Sequence, residues 1–154
     1  MAIAWNPDLN TGIDVIDHQH MRIVDFINEL EIAQIAKDKA RVKQVVDDCV
    51  DYTLSHFAFE ESLQEEAGYE FAKPHKKVHE LFTRKVAEYQ DRIALGDDVG
   101  EELHGLLARW LVNHIKRDDA DYVASVKAKM VHVIQEKTKT ETKEKGGWLS
   151  RFFK

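Results

Sequence analysis

Four stretches of this 154-residue chain carry histidines and carboxylates at spacings that suit metal chelation from helices. They are His20, His56 with Glu60, His75 with His79, and His114 with Asp119. Residues four apart in an α-helix share a face about one turn apart. His56/Glu60 and His75/His79 can therefore each aim both side chains at a common point. A bundle of four helices can build one large metal site inside itself, and few other folds use all four stretches.

Periodicity and punctuation support such a bundle. Ile23, Val24, Ile27, Leu30 and Ile35 follow the helical period and mark a first helix from about Asp17 to Lys37. A second runs from about Asp38 to Glu66 and stops at Gly68. A third begins near Phe71, tolerates Pro74 in its first turn, and continues through Val78, Leu81, Phe82, Val86 and Ile93 to Gly96. The fourth follows Asp97-Asp98, with Leu103, Leu107, Trp110 and Leu111 as its inner stripe up to His114. A further helical stretch is expected from about Asp119 to Glu136. Short connections imply antiparallel neighbours, so the expected fold is all-α: an antiparallel up-down-up-down four-helix bundle with a C-terminal helical or linker extension. Residues 1–134 are expected to form the bundle and residues 135–154 a charged linker and tail. Gly-rich phosphate loops and repeats of 20 to 50 residues are not visible.

Twenty-two basic against twenty-eight acidic residues give a net charge of −6, which disfavours a nucleic-acid backbone as partner. Met1 to Asn10 lacks a basic region followed by an apolar run, and no stretch approaches the roughly 20 apolar residues needed to span a bilayer. Cys49 is the only cysteine, so no internal disulfide can form and it is expected to be a small buried hydrophobe. The expectation is a cytoplasmic monomer.

A lone histidine on an apolar helical face is usually a hydrogen-bonded core or surface residue. Here several occur together: His20 beside Met21, Ile23 and Val24, His56 among Leu54, Phe57 and Phe59, and His114 after Trp110-Leu111-Val112. Burying these imidazoles and carboxylates without partners would cost several kcal/mol. A metal removes that cost. His18, His104 and His132 lack a partner at ligand spacing and are expected to stand outside the site. Glu101-x-x-His104 matches a motif of carboxylate-rich di-iron bundles, but His104 lies about 15 Å along a helix from His114. Imidazole with carboxylate suits iron, zinc or copper better than calcium or magnesium. Seven ligands exceed one ion. With two bridging carboxylates and a shared oxide or hydroxide, a six-coordinate pair keeps about one position open. Tetrahedral zinc would leave ligands over, so two irons fit better.

The chain resembles the hemerythrins, in particular their single-domain bacterial members, over about residues 5 to 125. The resemblance rests on Trp5, Thr11-Gly12-Ile13, Ile16-Asp17-His18-Gln19-His20, His56-Phe57-Ala58-Phe59-Glu60-Glu61, Tyr69, His75-Lys76-Lys77-Val78-His79-Glu80, and Trp110-Leu111-Val112-Asn113-His114-Ile115 with Asp119. It implies that His75, His79 and His114 hold one iron, His20 and His56 the other, and that Glu60, Asp119 and a solvent-derived oxygen bridge them. It also implies reversible dioxygen binding at the iron with two histidines, inside a pocket walled by Leu111, Phe57, Trp110 and Ile23. Two positions depart from the family pattern: Gln64, where methionine is frequent, and Glu70, where proline is frequent.

Residues 135–147 are polar and charged enough for a frayed helix or solvated linker, and they lead into Trp148-Leu149-Ser150-Arg151-Phe152-Phe153-Lys154. That end could dock on a protein or membrane surface, pack back on the bundle, or stay disordered. Three function classes remain open at this point: an oxygen carrier or store, a di-iron enzyme consuming nitric oxide or peroxide, and a sensing or iron-holding module.

Overall fold

The computed structural model describes residues 2–124 together with residues 127 and 129. After a 3-10 turn at Pro7–Leu9, four helices follow: α1 (Asp14–Ile35), α2 (Lys39–Glu66), α3 (Ala72–Ala94) and α4 (Gly100–His114). α2 packs on α1 and α3, and α1 also packs on α4. This is the up-down-up-down bundle that short connections require. No strand occurs among the described residues. None of the described helices is long and apolar enough to cross a membrane.

The helix ends follow local chemistry. α1, α2 and α3 each finish in a Schellman motif, with Asp38 N–H bonded to the Ala33 carbonyl, Tyr69 N–H to Gln64, and Asp97 N–H to Arg92. Gly68 and Gly96 supply the left-handed residue for α2 and α3, at φ +70° and +91°. α1 uses Lys37 at φ +54° instead, so the sequence carries no glycine to mark that stop. The Asp38 side chain then caps α2 by accepting from Arg41 N–H at 3.0 Å.

α1 begins three residues before the expected Asp17, at Asp14. The Asp17 carboxylate is buried and accepts from Thr11 N–H at 2.7 Å, Thr11 Oγ1 at 2.8 Å and Gly12 N–H at 3.2 Å. It thereby clasps the entry segment onto the first turn of α1. Asp17→Ala leaves these donors unsatisfied and is expected to destabilise the metal-free protein by about 2–3 kcal/mol. Urea unfolding measures this, and an unchanged midpoint would refute the clasp.

α4 differs most from expectation. Instead of breaking after His114, it passes through a π-helical stretch, Ile115–Asp119, and continues as helix over residues 120–124. The remainder of the stretch expected to reach Glu136, the boundary at 134, His132, the polar segment 135–147 and Trp148–Lys154 lie outside the described residues.

The interior has three levels. One apolar cluster gathers Ile23, Ile27 and Leu30 of α1, Val45, Val46 and Phe57 of α2, Phe82 and Val86 of α3, and Leu103, Leu107 and Leu111 of α4. A second gathers Ile13, Val15, Ile16, Leu63, Ala67, Tyr69 and Tyr122 toward the other end. Between them lies a buried polar layer. Two residues of the expected stripes point outward: Ile35 is 68% and Leu81 54% exposed. Ile35 is five positions past Leu30, about 140° around the helix. The inner face of α3 is set by His75, His79, Phe82, Val86 and Tyr89, a spacing that leaves Leu81 outside. Cys49 is buried, and burial pushes its thiol up to about 11, as suits an inert core residue.

Candidate metal centre

The polar layer consists of the residues singled out by their spacing. α1 contributes His20, α2 His56 and Glu60, α3 His75 and His79, and α4 with its π stretch His114 and Asp119. All seven are buried, with His20, Glu60 and Asp119 fully so. In an unbroken α-helix a residue five positions on points about 140° away. The i→i+5 bonding of a π turn returns it to the same face, which is how one helix delivers both His114 and Asp119.

The two carboxylates divide the imidazoles into two sets. Glu60 Oε1 lies 2.7 Å from His75 Nε2 and 3.3 Å from His79 Nε2, while Oε2 faces His56 Nε2 at 3.6 Å. Asp119 Oδ1 lies 3.2 Å from His75 Nε2 and 3.3 Å from His114 Nε2, while Oδ2 faces His20 Nε2 at 3.1 Å. Each carboxylate thus turns one oxygen toward two of His75, His79 and His114 and the other toward His20 or His56. His18 is exposed, and His104 sits apart, 3.7 Å from Glu31.

Several orienting residues were not among those singled out by spacing. His56 Nδ1–H donates to Gln19 Oε1 at 2.6 Å, and His114 Nδ1–H donates to Asp118 Oδ2 at 2.7 Å. His79 Nδ1 faces Glu61 Oε1 at 3.6 Å. A proton fixed on Nδ1 leaves the Nε2 lone pair for the centre. Tyr122, fully buried, donates its hydroxyl to Glu60 Oε2 at 3.0 Å and lies edge-on to His75. It follows Asp119 by three residues on a helical face, a spacing that could have revealed it. Asp118→Asn is expected to weaken metal affinity about 10- to 100-fold, the usual cost of removing such a partner. A competition titration against a chelator tests this, and parent-like affinity would deny Asp118 the role.

The electrostatics of the metal-free cluster are strained by burial. Burial and the neighbouring Asp119 push Glu60 up, but the His75 and His79 imidazoles prevail and hold it at about 2. Burial likewise raises Asp119, and His114, His20 and His75 more than offset it, leaving the carboxyl well below its usual range. Against burial, the carboxylates lift His75 to about 9; Asp118 and Asp119 lift His114 to about 10. Burial depresses His56 to about 4.

Hydrogen bonding alone does not satisfy this layer. Both oxygens of Asp119 and both nitrogens of His20 lack an aligned hydrogen-bond partner. His79 Nε2 and His114 Nε2 face each other at 3.1 Å, while each of their Nδ1 atoms already looks toward an outer carboxylate. Converging lone pairs of this kind fit a cation. Ligand atoms of Glu60, His75, His79 and His114 lie within 4.8 Å of one another, as do those of His20, His56 and Glu60. Two cations sharing Glu60 match that division, and the imidazole–carboxylate donor set suits iron.

An apolar cavity of about 10 Å³ borders the layer, about the size that admits one water-sized molecule. Ile23, Phe57, Trp110 and Leu111 all line it, together with His20, His56 and His114. Stacked rings close one side: Phe57 on His79 at 3.8 Å, Phe82 on Trp110 at 3.7 Å, and Trp110 on His114 at 4.3 Å between centroids.

Fold and site together define a helical-bundle metalloprotein with a carboxylate-linked dinuclear centre of unequal histidine halves. Residues 11–126 match the hemerythrin HHE cation binding domain. The chain is 55% identical over 152 residues to a bacteriohemerythrin of Pseudomonas aeruginosa, covering 99% of this chain and 95% of that protein. A bacteriohemerythrin of Stenotrophomonas maltophilia is 49% identical with the same coverage. A wild-type hemerythrin crystal structure superposes with a TM-score of 0.77 at 26% identity, over 80% of this chain and 97% of that one. The chain belongs to the hemerythrin family. Of its two departures, Glu70 is exposed, whereas Gln64 is fully buried with an amide that has no hydrogen-bond partner; nothing in the structure explains that choice.

Proposed function

We propose that this chain binds dioxygen reversibly at a non-haem di-iron centre, for oxygen storage, transport or delivery. His75, His79 and His114 would hold one iron and His20 and His56 the other, with Glu60 and Asp119 shared between them. Bound as a ferrous pair, the irons supply a reversible two-electron reservoir for O2. The protein's own residues do the rest. Gln19 and Asp118 keep the His56 and His114 lone pairs aimed inward. Tyr122 holds its proton on Glu60 Oε2 and so limits that oxygen's freedom to turn. Ile23, Phe57, Trp110 and Leu111 keep water and stray protons from the bound gas.

The observation that carries this reading is the position of the cavity. It borders both imidazoles of the two-histidine set but only His114 of the other, so a small ligand entering it meets the less crowded metal. Its remaining lining consists of Ile23, Ile27, Cys49, Thr53, Phe57, Phe82, Leu107, Trp110 and Leu111. That wall offers no carboxylate or amine for general acid–base work, which supports binding over turnover. The same reading places the protein in the cytoplasm as a monomer.

Optical spectra test it. The reduced, iron-loaded protein is expected to gain a visible charge-transfer band on exposure to air and to lose it on degassing, through repeated cycles. A band that never returns after the first cycle, or steady consumption of O2, would defeat reversible binding.

A further inference from the structure

The cavity beside the centre has a neighbour. A second cavity of about 20 Å³ opens at the seam between α2 and α3, lined by Cys49, Val50, Thr53, Leu54, Phe82, Thr83, Val86 and Leu107. Cys49, Thr53, Phe82 and Leu107 belong to both linings. Only this four-residue wall separates an outward-facing hollow from the inner one. Val50 and Thr83 are half-buried, and Leu54 is 43% exposed at the mouth.

We infer that dioxygen enters and leaves along this seam, through the outer cavity and past Cys49 and Thr53 into the inner one. The inference rests on the dioxygen-binding reading. Two of the four shared residues are small side chains in a core otherwise built of Ile, Val, Leu and aromatic rings. Cys49 Sγ and Thr53 Oγ1 are 4.0 Å apart, a loose contact that modest rotamer or helix motion can widen. Toward Trp110 the inner cavity is closed by stacked rings, Phe57 on His79 and Trp110 on Phe82 and His114. Both linings are apolar apart from the Thr hydroxyls, the thiol and the imidazoles. Such hollows stay dry, so an apolar gas partitions into them while water and hydrated ions are held back. One arrangement thus admits the ligand and protects it.

A route changes barriers and not end states, so blocking it slows entry and exit together. Leu54→Trp covers the mouth from an exposed position, and Thr53→Leu fills the partition. Stopped-flow mixing and flash photolysis of the iron-loaded protein read the two rate constants. Both are expected to fall about ten-fold in each variant, and in Leu54→Trp, which touches only the outer cavity, their ratio, the affinity, stays unchanged within about two-fold. Leu81→Trp, an equally bulky change on exposed α3 surface, leaves both rates at the parent value. Parent-like rates in both Leu54→Trp and Thr53→Leu would overturn the route. So would a change confined to one rate constant in Leu54→Trp, which marks an effect on the bound state. A second reading needs no oxygen: crystals of the iron-loaded protein under xenon pressure are expected to show xenon in the outer cavity, and Thr53→Leu to lose it. No xenon there in the parent would also overturn the route. A parent protein with no oxygen-dependent band would instead defeat the dioxygen reading, leaving xenon to report on the seam by itself.

Discussion

Glu60→Ala protein is expected to hold at most about one iron per chain where the parent holds about two, and to show no oxygen-dependent band. The reason lies in how the carboxylate faces. Its two oxygens look toward different imidazole sets, with His75 and His79 on one side and His56 on the other. Without it, a metal on either side loses a ligand, and two cations brought together in a buried layer lose a shared anion that screens their repulsion. The metal-free variant is weakened as well. The Tyr122 hydroxyl loses its partner inside the core and His75 Nε2 keeps only Asp119 Oδ1, a cost of about 3–5 kcal/mol by analogy with other broken buried pairs. Elemental analysis of the purified variant measures iron per chain. Two irons retained by Glu60→Ala would contradict the shared-ligand assignment.

Metal-free protein is expected to be most stable near pH 6.5, and iron loading to move that optimum upward. Each contribution has a definite sign. Glu60 is held at about 2 against an ordinary 4.5, so its stabilisation is present above about pH 4.5 and disappears as pH falls toward 2. His75 and His114 stand at about 9 and about 10 against an ordinary 6.5. Their stabilisation is complete below about pH 6.5 and is lost as pH rises through those values. His56, lowered to about 4 by burial, acts the other way: its contribution is present above about 6.5 and is lost on acidification. His75 and His114 therefore pull stability down above pH 6.5, and His56, joined by Glu60 under about pH 4.5, pulls it down below. Iron binding requires neutral imidazoles, so loading at pH 7 must expel the protons held by His75 and His114. Urea midpoints of the metal-free protein from about pH 5 to about pH 9 test the first part, and proton release on iron addition to weakly buffered protein tests the second. A flat midpoint profile together with no acidification would remove the proposed coupling.

The fold was legible because its signals are local. Period-3.6 apolar positions such as Ile23, Ile27 and Leu30, and stops such as Gly68 and Gly96, each encode a helix or its end through a few neighbouring residues. Where the stop used a lysine in the left-handed region, at Lys37, the expected end overshot by two residues. The polar layer was legible because metal ligation needs particular side chains, and His56/Glu60 and His75/His79 keep an i, i+4 register within single helices. The orienting residues were less so. Gln19 reaches His56 from another helix, and nothing in a one-dimensional spacing links residues 37 positions apart. Tyr122 shares a helical face with Asp119, but which carboxylate its hydroxyl serves shows only when it is seen on Glu60 of another helix. The seam between α2 and α3 was beyond reach for a related reason: a cavity is what several side chains fail to fill together, and Cys49 and Thr53 announce it only once Leu107 and Phe82 are seen opposite them.

The π turn after His114 sets a rule of counting for this region of the chain. Lys116 and Arg117 are exposed, so those two positions can vary widely, whereas Ile115 is buried in the core and Asp118 holds His114. Spacing and bonding are tied together. In ordinary α-helical bonding the present five-residue step would swing the Asp119 carboxylate about 140° from the His114 face, and the Tyr122 hydroxyl with it, whereas a step of four would keep the face without a π turn. The four residues between His114 and Asp119 thus act as a spacer that delivers the carboxylate because the helix widens there to take one extra residue.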